Sequence, residues 1–286
     1  MGKLTVRRDL YFGGIKNQDF KKAKIVILPV PFEATTSYLK GTKKGPRAIL
    51  EASEQIEEIW GEEFPSKIER EKLIFTTREI KLGKNPQKAI LRLFRILKKF
   101  FQKEKTPFIL GGEHTLTLAG VMAAKEKYSN LSVLQLDAHS DLRDEYLGER
   151  FSHACVMRRI KEMGVPITAV GIRSIDCDVA EFIKRERIKN IFFSSPLPTE
   201  KILKTLSKNV YLTLDFDFFD PSIMPSVGTP QPGGFFWEET NNFLKKIFER
   251  KNVIGADFVE LCPIPDFFAP NFMAAKLIYK IITFVI

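Results

Sequence analysis

Only three of the 286 residues are cysteine, at positions 155, 177 and 262, and only three are histidine. The cysteines are too few and too scattered for a disulfide framework or a CxxC zinc site, so a reducing, cytoplasmic compartment is the simplest expectation. Long hydrophobic runs are missing as well. Met1 to Leu10 carries Lys3, Arg7, Arg8 and Asp9 with no apolar segment of signal-peptide length behind it, and nothing there directs export. The greasy end, Ala274 to Ile286, is interrupted by Lys276 and Lys280. It falls short of the roughly 20 apolar residues that span a bilayer and reads as a terminal helix packed on the core. No Ser/Gly-rich linker or internal repeat divides the chain, so one domain over residues 1–286 is expected.

Apolar residues make up 44% of the chain, enough to bury a sizeable core, which excludes a disordered tail. Lys and Arg number 45 against 35 Asp and Glu, a net charge of +10. Such charge permits attraction to nucleic acid or an anionic surface without fixing either. The basic residues fall on helix faces, as with Arg92, Arg95, Lys98 and Lys99, and no aromatic-basic recognition motif accompanies them. A non-catalytic nucleic-acid binder is therefore a remote alternative; the expectation is no nucleic acid and no membrane.

Short β-branched or aliphatic runs recur at Lys24–Leu28, Leu73–Phe75, Phe108–Leu110, Ser132–Leu136, Thr168–Ile172, Asn190–Phe193, Val210–Leu214 and Val253–Phe258. Stretches with helical spacing lie between most of them. Pro86–Lys103 places Ile90, Leu91, Leu93, Phe94, Ile96, Leu97 and Phe100 on one broad face, and Thr199–Leu206 and Glu238–Glu249 read the same way. Strand and helix alternating about eight times predicts an α/β domain on a mostly parallel sheet.

Three central-looking strands run straight into polar clusters, at the end where open α/β sheets bind their ligands. Phe108-Ile-Leu110 leads into Gly111-Gly-Glu-His114, Leu134-Gln-Leu136 into Asp137-Ala-His-Ser-Asp141, and Leu212-Thr-Leu214 into Asp215-Phe-Asp217. In Asp137, His139 and Asp141 the spacing is two, so an extended segment points all three side chains to one face, and Asp215 and Asp217 share that spacing. Two of the three histidines, His114 and His139, lie in these clusters, and the third, His153, follows twelve residues after Asp141. So many uncompensated carboxylates at strand ends would repel one another and lose hydration, so a cation is expected among them. Carboxylates and imidazoles without thiolate suit a hard octahedral divalent ion, Mn²⁺ before Zn²⁺ or Ni²⁺. Bridging carboxylates would let six residues serve two ions and activate a shared water. Gly111-Gly112 lacks the GxxxxGK[ST] of a phosphate cradle, and Cys155, two residues from His153, reads as packing more readily than as a nucleophile.

At these residues the sequence resembles the ureohydrolase family, the arginases and agmatinases, over most of its length. GGEH at 111–114 resembles the family's GGDH, DAHSD at 137–141 its DAHxD, and LDFDFFDPS at 214–222 its (S/T)xDxDxxDPs. VGTPQPGG at 227–234 is similar to the agmatinase GTPxPGG, and PVPFEATTSYLKGTKKGPRAILEAS at 29–53 to the family's N-terminal segment. The resemblance implies a three-layer αβα fold with a mostly parallel eight-stranded sheet, two Mn²⁺ per subunit, and trimers or hexamers. It implies that His114 and Asp141 bind one manganese, that His139 and Asp217 bind the other, and that Asp137 and Asp215 bridge both. It makes Asp141, His153 and Glu260 the catalytic positions. A metal-bridging hydroxide would attack the guanidinium carbon, with Glu260 binding the guanidinium and His153 passing a proton to the leaving amine.

Phe151-Ser-His-Ala-Cys-Val-Met-Arg-Arg159 is similar to the agmatinase SHGTxxRR rather than to the Asn-x-His-Gly of arginases, which favours agmatine, giving putrescine, or a longer polyamine such as aminopropylagmatine. Arginine, guanidinobutyrate and formiminoglutamate are the alternatives. They carry a carboxylate and would want a cation in the pocket, for which Arg158, Arg159 and Arg173 are available. Glu113, Gln231 and Ala154 depart from the family pattern, and Pro265–Asn271 differs from the usual agmatinase stretch and is expected at the pocket rim. Gln231 is expected near the pocket, where the lost charge would weaken recognition of a distal ammonium.

Overall fold

The computed structural model describes residues 10–16, 18–56, 73–193 and 195–286, and all but the last residue of the N-terminal stretch Met1 to Leu10 lies outside them. Eight strands form one sheet: β1 (Ile25–Val30), β2 (Ile74–Thr76), β3 (Thr106–Gly111), β4 (Leu131–Leu136), β5 (Ile167–Val170), β6 (Ile191–Phe192), β7 (Asn209–Asp215) and β8 (Asn252–Val259). Their order is β2-β1-β3-β8-β7-β4-β5-β6, and every neighbouring pair is parallel. The mostly parallel sheet expected from the sequence is thus entirely parallel, and each of the eight apolar runs became one of its strands.

A parallel sheet needs both faces covered, which is why β1 and β4 are buried at every position. Alternate residues serve opposite layers. Ile25 and Ile27 pack with α1 (Gly45–Ser53), α6 (Thr199–Thr205), α7 (Trp237–Arg250) and α8 (Ala269–Val285). Val26 and Leu28 pack with α2 (Pro86–Gln102), α3 (Thr117–Lys127), α4 (Val156–Glu162) and α5 (Cys177–Arg185). These helices complete three αβα layers. In α2, Pro86 sits at the helix start and the Asn85 side chain accepts from the Lys88 backbone N–H at 2.8 Å. From there Ala89, Ile90, Leu93, Leu97 and Phe101 turn inward. Among the described residues no helix is long and apolar enough to cross a membrane, and the greasy end is α8, packed on the sheet.

Sheet order is what gathers the polar clusters. In sequence the four ends come as β3, β4, β7, β8, but in space they lie side by side as β3-β8-β7-β4. The loop after β3 needs Gly112, because a Cβ there would meet the Phe32 carbonyl oxygen at 1.9 Å. This approach lets the Glu113 N–H reach that carbonyl at 2.9 Å and ties the β3 loop to the segment after β1.

Candidate active site

His114, Asp137, His139, Asp141, Asp215 and Asp217 converge at the carboxyl ends of β3, β4 and β7. Asp137 is at the centre: it shares one cluster with His114 and Asp141 and another with His139 and Asp217, each with ligand atoms within 4.8 Å of one another. Asp215 approaches from β7 with its Oδ2 3.4 Å from His114 Nδ1. Asp141 and, at the end of β8, Glu260 have left-handed backbones, with φ of 49° and 65°, a strained choice for side chains of this kind that recurs at working sites. The Glu260 carboxylate accepts from the His114 backbone N–H at 2.7 Å, and with His153 it lines the same cavity of about 180 Å³. Tyr38, Leu39, Arg143 and Tyr146 also line this cavity. A cavity of about 400 Å³ around Met157, Val165 and Ile191 contains none of the expected site residues.

His114 shows whether this donor set fits a metal ion. Its Nε2 is 2.8 Å from Thr213 Oγ1, which donates to Asp257 Oδ1 at 2.6 Å, so Nε2 carries the ring proton and donates. Nδ1 is then buried without a hydrogen-bond partner and faces oxygens of Asp141, Asp137 and Asp215 at 2.9, 3.2 and 3.4 Å. A lone pair surrounded by carboxylates needs a proton or a cation between them, so the residues fit a metal ion.

The electrostatics carry the same demand. Burial, followed by the charges of Asp217 and Asp141, pushes Asp137 up to about 7. Burial and the charges of Asp217 and Asp137 hold Asp215 well above the carboxylate range. Burial opposes charging of the imidazoles, but contact with Asp137 and Asp141 holds His114 well above its usual range, and Asp217 pushes His139 up to about 9. Burial opposes ionisation of Asp217 as well, yet His139 beside it keeps that carboxyl low. Burial, then the charge of Glu113, raises Glu260. Without a cation the cluster therefore retains extra protons.

The sign of the resulting pH dependence follows by linkage. Asp137 rises from 3.8 to about 7 on folding, so ionising it weakens the metal-free protein progressively across that interval. His139 rises from 6.5 to about 9, so its contribution is complete below 6.5 and is lost as pH climbs through 9. Metal ligands must be deprotonated, so a divalent ion binds more tightly over the same rise. Thermal denaturation should show a larger upward shift of Tm on adding a divalent ion at pH 8 than at pH 6. Equal shifts would contradict this.

Several expectations need correction. Gln231 is not among them: it lies near the pocket as expected, with its side-chain amide 3.4 Å from the ring Nε2 of the cavity-lining His139. When that amide is turned to present its oxygen, it accepts from Nε2–H. Gln231→Glu would place a carboxylate behind the imidazole, and titration calorimetry should find divalent-ion binding about 10-fold to 100-fold tighter; unchanged affinity would exclude the contact. Arg173 is fully occupied by backbone carbonyls, among them those of Asp217 at 2.7 Å and Gln231 at 2.8 Å, and clamps two site loops together. Arg158 lies over the Phe182 ring, and Arg159 pairs with Asp144 and Glu162, so none of the three arginines faces the cavity. Pro265–Asn271 does not line the cavity either. Cys155 is buried, and burial pushes its thiol up, away from the reactive thiolate.

Sequence reasoning missed the supports. Gln135, two residues before Asp137, donates to Asp137 Oδ2 at 2.8 Å and to the His139 carbonyl at 3.0 Å. Thr213, two before Asp215, holds His114. Strand period was the available signal for both. Asp257, an acid inside the apolar strand β8, was visible as an anomaly.

Fold and site together define an α/β protein with a buried carboxylate–imidazole centre, able to hold divalent cations at the carboxyl edge of a parallel sheet. The model of the arginase family matches residues 23–283, and the chain belongs to that family. An N(1)-aminopropylagmatine ureohydrolase from Synechocystis sp. is 37% identical over 274 residues, covering 92% of this chain and 89% of that protein. An agmatinase from Pyrococcus horikoshii is 33% identical over 271 residues, covering 92% and 93%. Among solved structures, agmatine ureohydrolase of Thermoplasma volcanium superposes with a TM-score of 0.83 at 27% identity, covering 98% of this chain and 95% of that one.

Proposed function

We propose that this protein is a dimanganese ureohydrolase releasing urea from agmatine or from a longer guanidino polyamine such as aminopropylagmatine. The observation that carries this reading is the half-buried carboxylate of Glu260 beside the acidic cluster, in a cavity whose only lining arginine, among the described residues, is already paired. That residue, Arg143, pairs with Asp176 at 2.7 Å and lies over the Tyr146 ring. A planar cation is therefore matched at the floor, and a substrate carboxylate has no free partner. The names of the relatives in Synechocystis and Pyrococcus support the same substrate class.

His114 and Asp141 would hold one manganese, His139 and Asp217 the other, with Asp137 and Asp215 shared. When bound, the ion pair supplies charge neutralisation and makes hydroxide available from water at neutral pH. Glu260 binds the guanidinium and fixes its carbon in place, with one carboxylate oxygen anchored on the His114 N–H. Burial lowers the pKa of His153, so its imidazole is neutral and can take a proton and deliver it to the departing amine. A bond forms between the water oxygen and the guanidinium carbon, the bond from that carbon to the alkyl-bearing nitrogen breaks, and the water's two protons go to that nitrogen, one of them by way of His153, so that urea and a protonated amine leave.

Manganese-loaded protein assayed side by side should favour agmatine or aminopropylagmatine over arginine and guanidinobutyrate by at least about 100-fold in kcat/KM, because an unpaired carboxylate in this acidic cavity costs about 3 kcal/mol or more. Comparable turnover of guanidinobutyrate would overturn the substrate assignment. As second proposals, the chain acts as one domain and assembles as a trimer or hexamer in the cytoplasm, which sedimentation and fractionation would test.

A further inference from the structure

Glu113 and His153 meet through Thr35, a residue of the loop after β1. Four donors converge on the Glu113 carboxylate: the Ala34 N–H at 2.6 Å, the Thr35 N–H at 2.7 Å, the Thr35 hydroxyl at 2.9 Å and the Thr115 hydroxyl at 2.8 Å. Glu113 is fully buried, so this set of bonds anchors the loop to the end of β3. On its other side Thr35 Oγ1 lies 3.1 Å from both the His153 backbone N–H and His153 Nδ1.

Proton counting then fixes the imidazole. A hydroxyl has a single proton, and a carboxylate oxygen can only accept. If Thr35 gave its proton to His153 Nδ1, its oxygen would face Glu113 Oε1 lone pair to lone pair at 2.9 Å inside the protein. The proton therefore goes to Glu113, Thr35 Oγ1 accepts twice from His153, and Nδ1 must carry a hydrogen. We propose that Glu113, acting through Thr35, is a positioning residue that locks His153 in the Nδ1–H tautomer and leaves the Nε2 lone pair for the cavity. An unconstrained histidine side chain favours the opposite tautomer, so the wiring reverses the intrinsic preference. The lowered pKa of His153 agrees with a neutral ring in which the tautomer matters. The functional consequence rests on His153 as the group that moves the proton in urea release: with a hydrogen on Nε2 it could not accept one there.

With three histidines in the chain, nitrogen-15 spectra of the imidazoles are sparse. Spectra of protein loaded with diamagnetic Zn²⁺, assigned by comparison with His153→Gln, report which ring nitrogen bears the proton. The wild type and Thr35→Ser should show Nδ1–H at His153. Thr35→Val, isosteric but without the hydroxyl, should move the proton to Nε2, and so should Glu113→Gln, which puts a donor nitrogen where Thr35 needs an acceptor. In manganese-loaded protein Thr35→Val should lower kcat about 10-fold to 100-fold with KM within about twofold, and Thr35→Ser should restore it. A wild-type His153 protonated on Nε2 would overturn the proposal without any variant having to fold. Loss of kcat in Thr35→Val with the tautomer unchanged would also overturn it and assign Thr35 a merely structural role. Absence of urea from the wild type with Nδ1–H in place would support the wiring and contradict the ureohydrolase reading instead.

Discussion

Asp137→Asn should lose both metal ions and turnover together. Asp137 is the residue common to the two ligand clusters, fully buried, with Oδ1 accepting the His139 N–H at 2.6 Å and Oδ2 accepting from Gln135. An amide keeps the size of the side chain, removes the charge that both ions would share, and turns one acceptor into a donor aimed at Gln135 Nε2 or the His139 N–H. Metal-ion stabilisation of developing charge is worth several kcal/mol, so activity should fall by about 10³-fold or more. Metal analysis after dialysis should find well under one equivalent per chain. Retention of two tightly bound ions would show that Asp137 does not bridge them.

Glu260→Gln separates binding of the substrate from binding of the metal. The amide oxygen can still accept from the His114 N–H, so the loop after β3 keeps its anchor. What disappears is the negative charge that a guanidinium would neutralise. Breaking a buried charge pair on one side costs about 3–5 kcal/mol, so kcat/KM should fall by roughly 10²- to 10³-fold or more while metal content stays at the wild-type level. Unchanged kcat/KM would remove Glu260 from guanidinium recognition; loss of metal would place it among the ligands.

The sequence displayed the fold and the inner surface of the site for one physical reason. In a parallel sheet buried on both faces, each strand is a short apolar run, and the first polar residues after it emerge at the carboxyl edge. DAHSD, LDFD and GGEH announced themselves as interruptions of such runs, and residues spaced by two had to share a side. The side-by-side placement of β3, β8, β7 and β4 was not visible, because strand order depends on packing between distant elements. The supports were equally hidden. Thr35 reaches His153 across 118 residues, and no local period connects a threonine in a loop to a histidine that opens a helix. Arg173 looked available for a substrate because composition counts charges without showing that a guanidinium can be consumed by backbone carbonyls. Gln231 was legible as a departure near the pocket, but its contact with His139 was not, since a loop residue's partner is set by how two loops meet.

Urea formed from agmatine and from aminopropylagmatine, measured while metal-stripped protein is titrated with Mn²⁺, joins the substrate class to the paired metal site in a single experiment. Urea production should be negligible at the start, rise with added manganese and level off at two equivalents per chain, with at least one of the two compounds turned over. Two bound equivalents and no urea from either compound, or full urea production by the stripped protein, would contradict a dimanganese ureohydrolase.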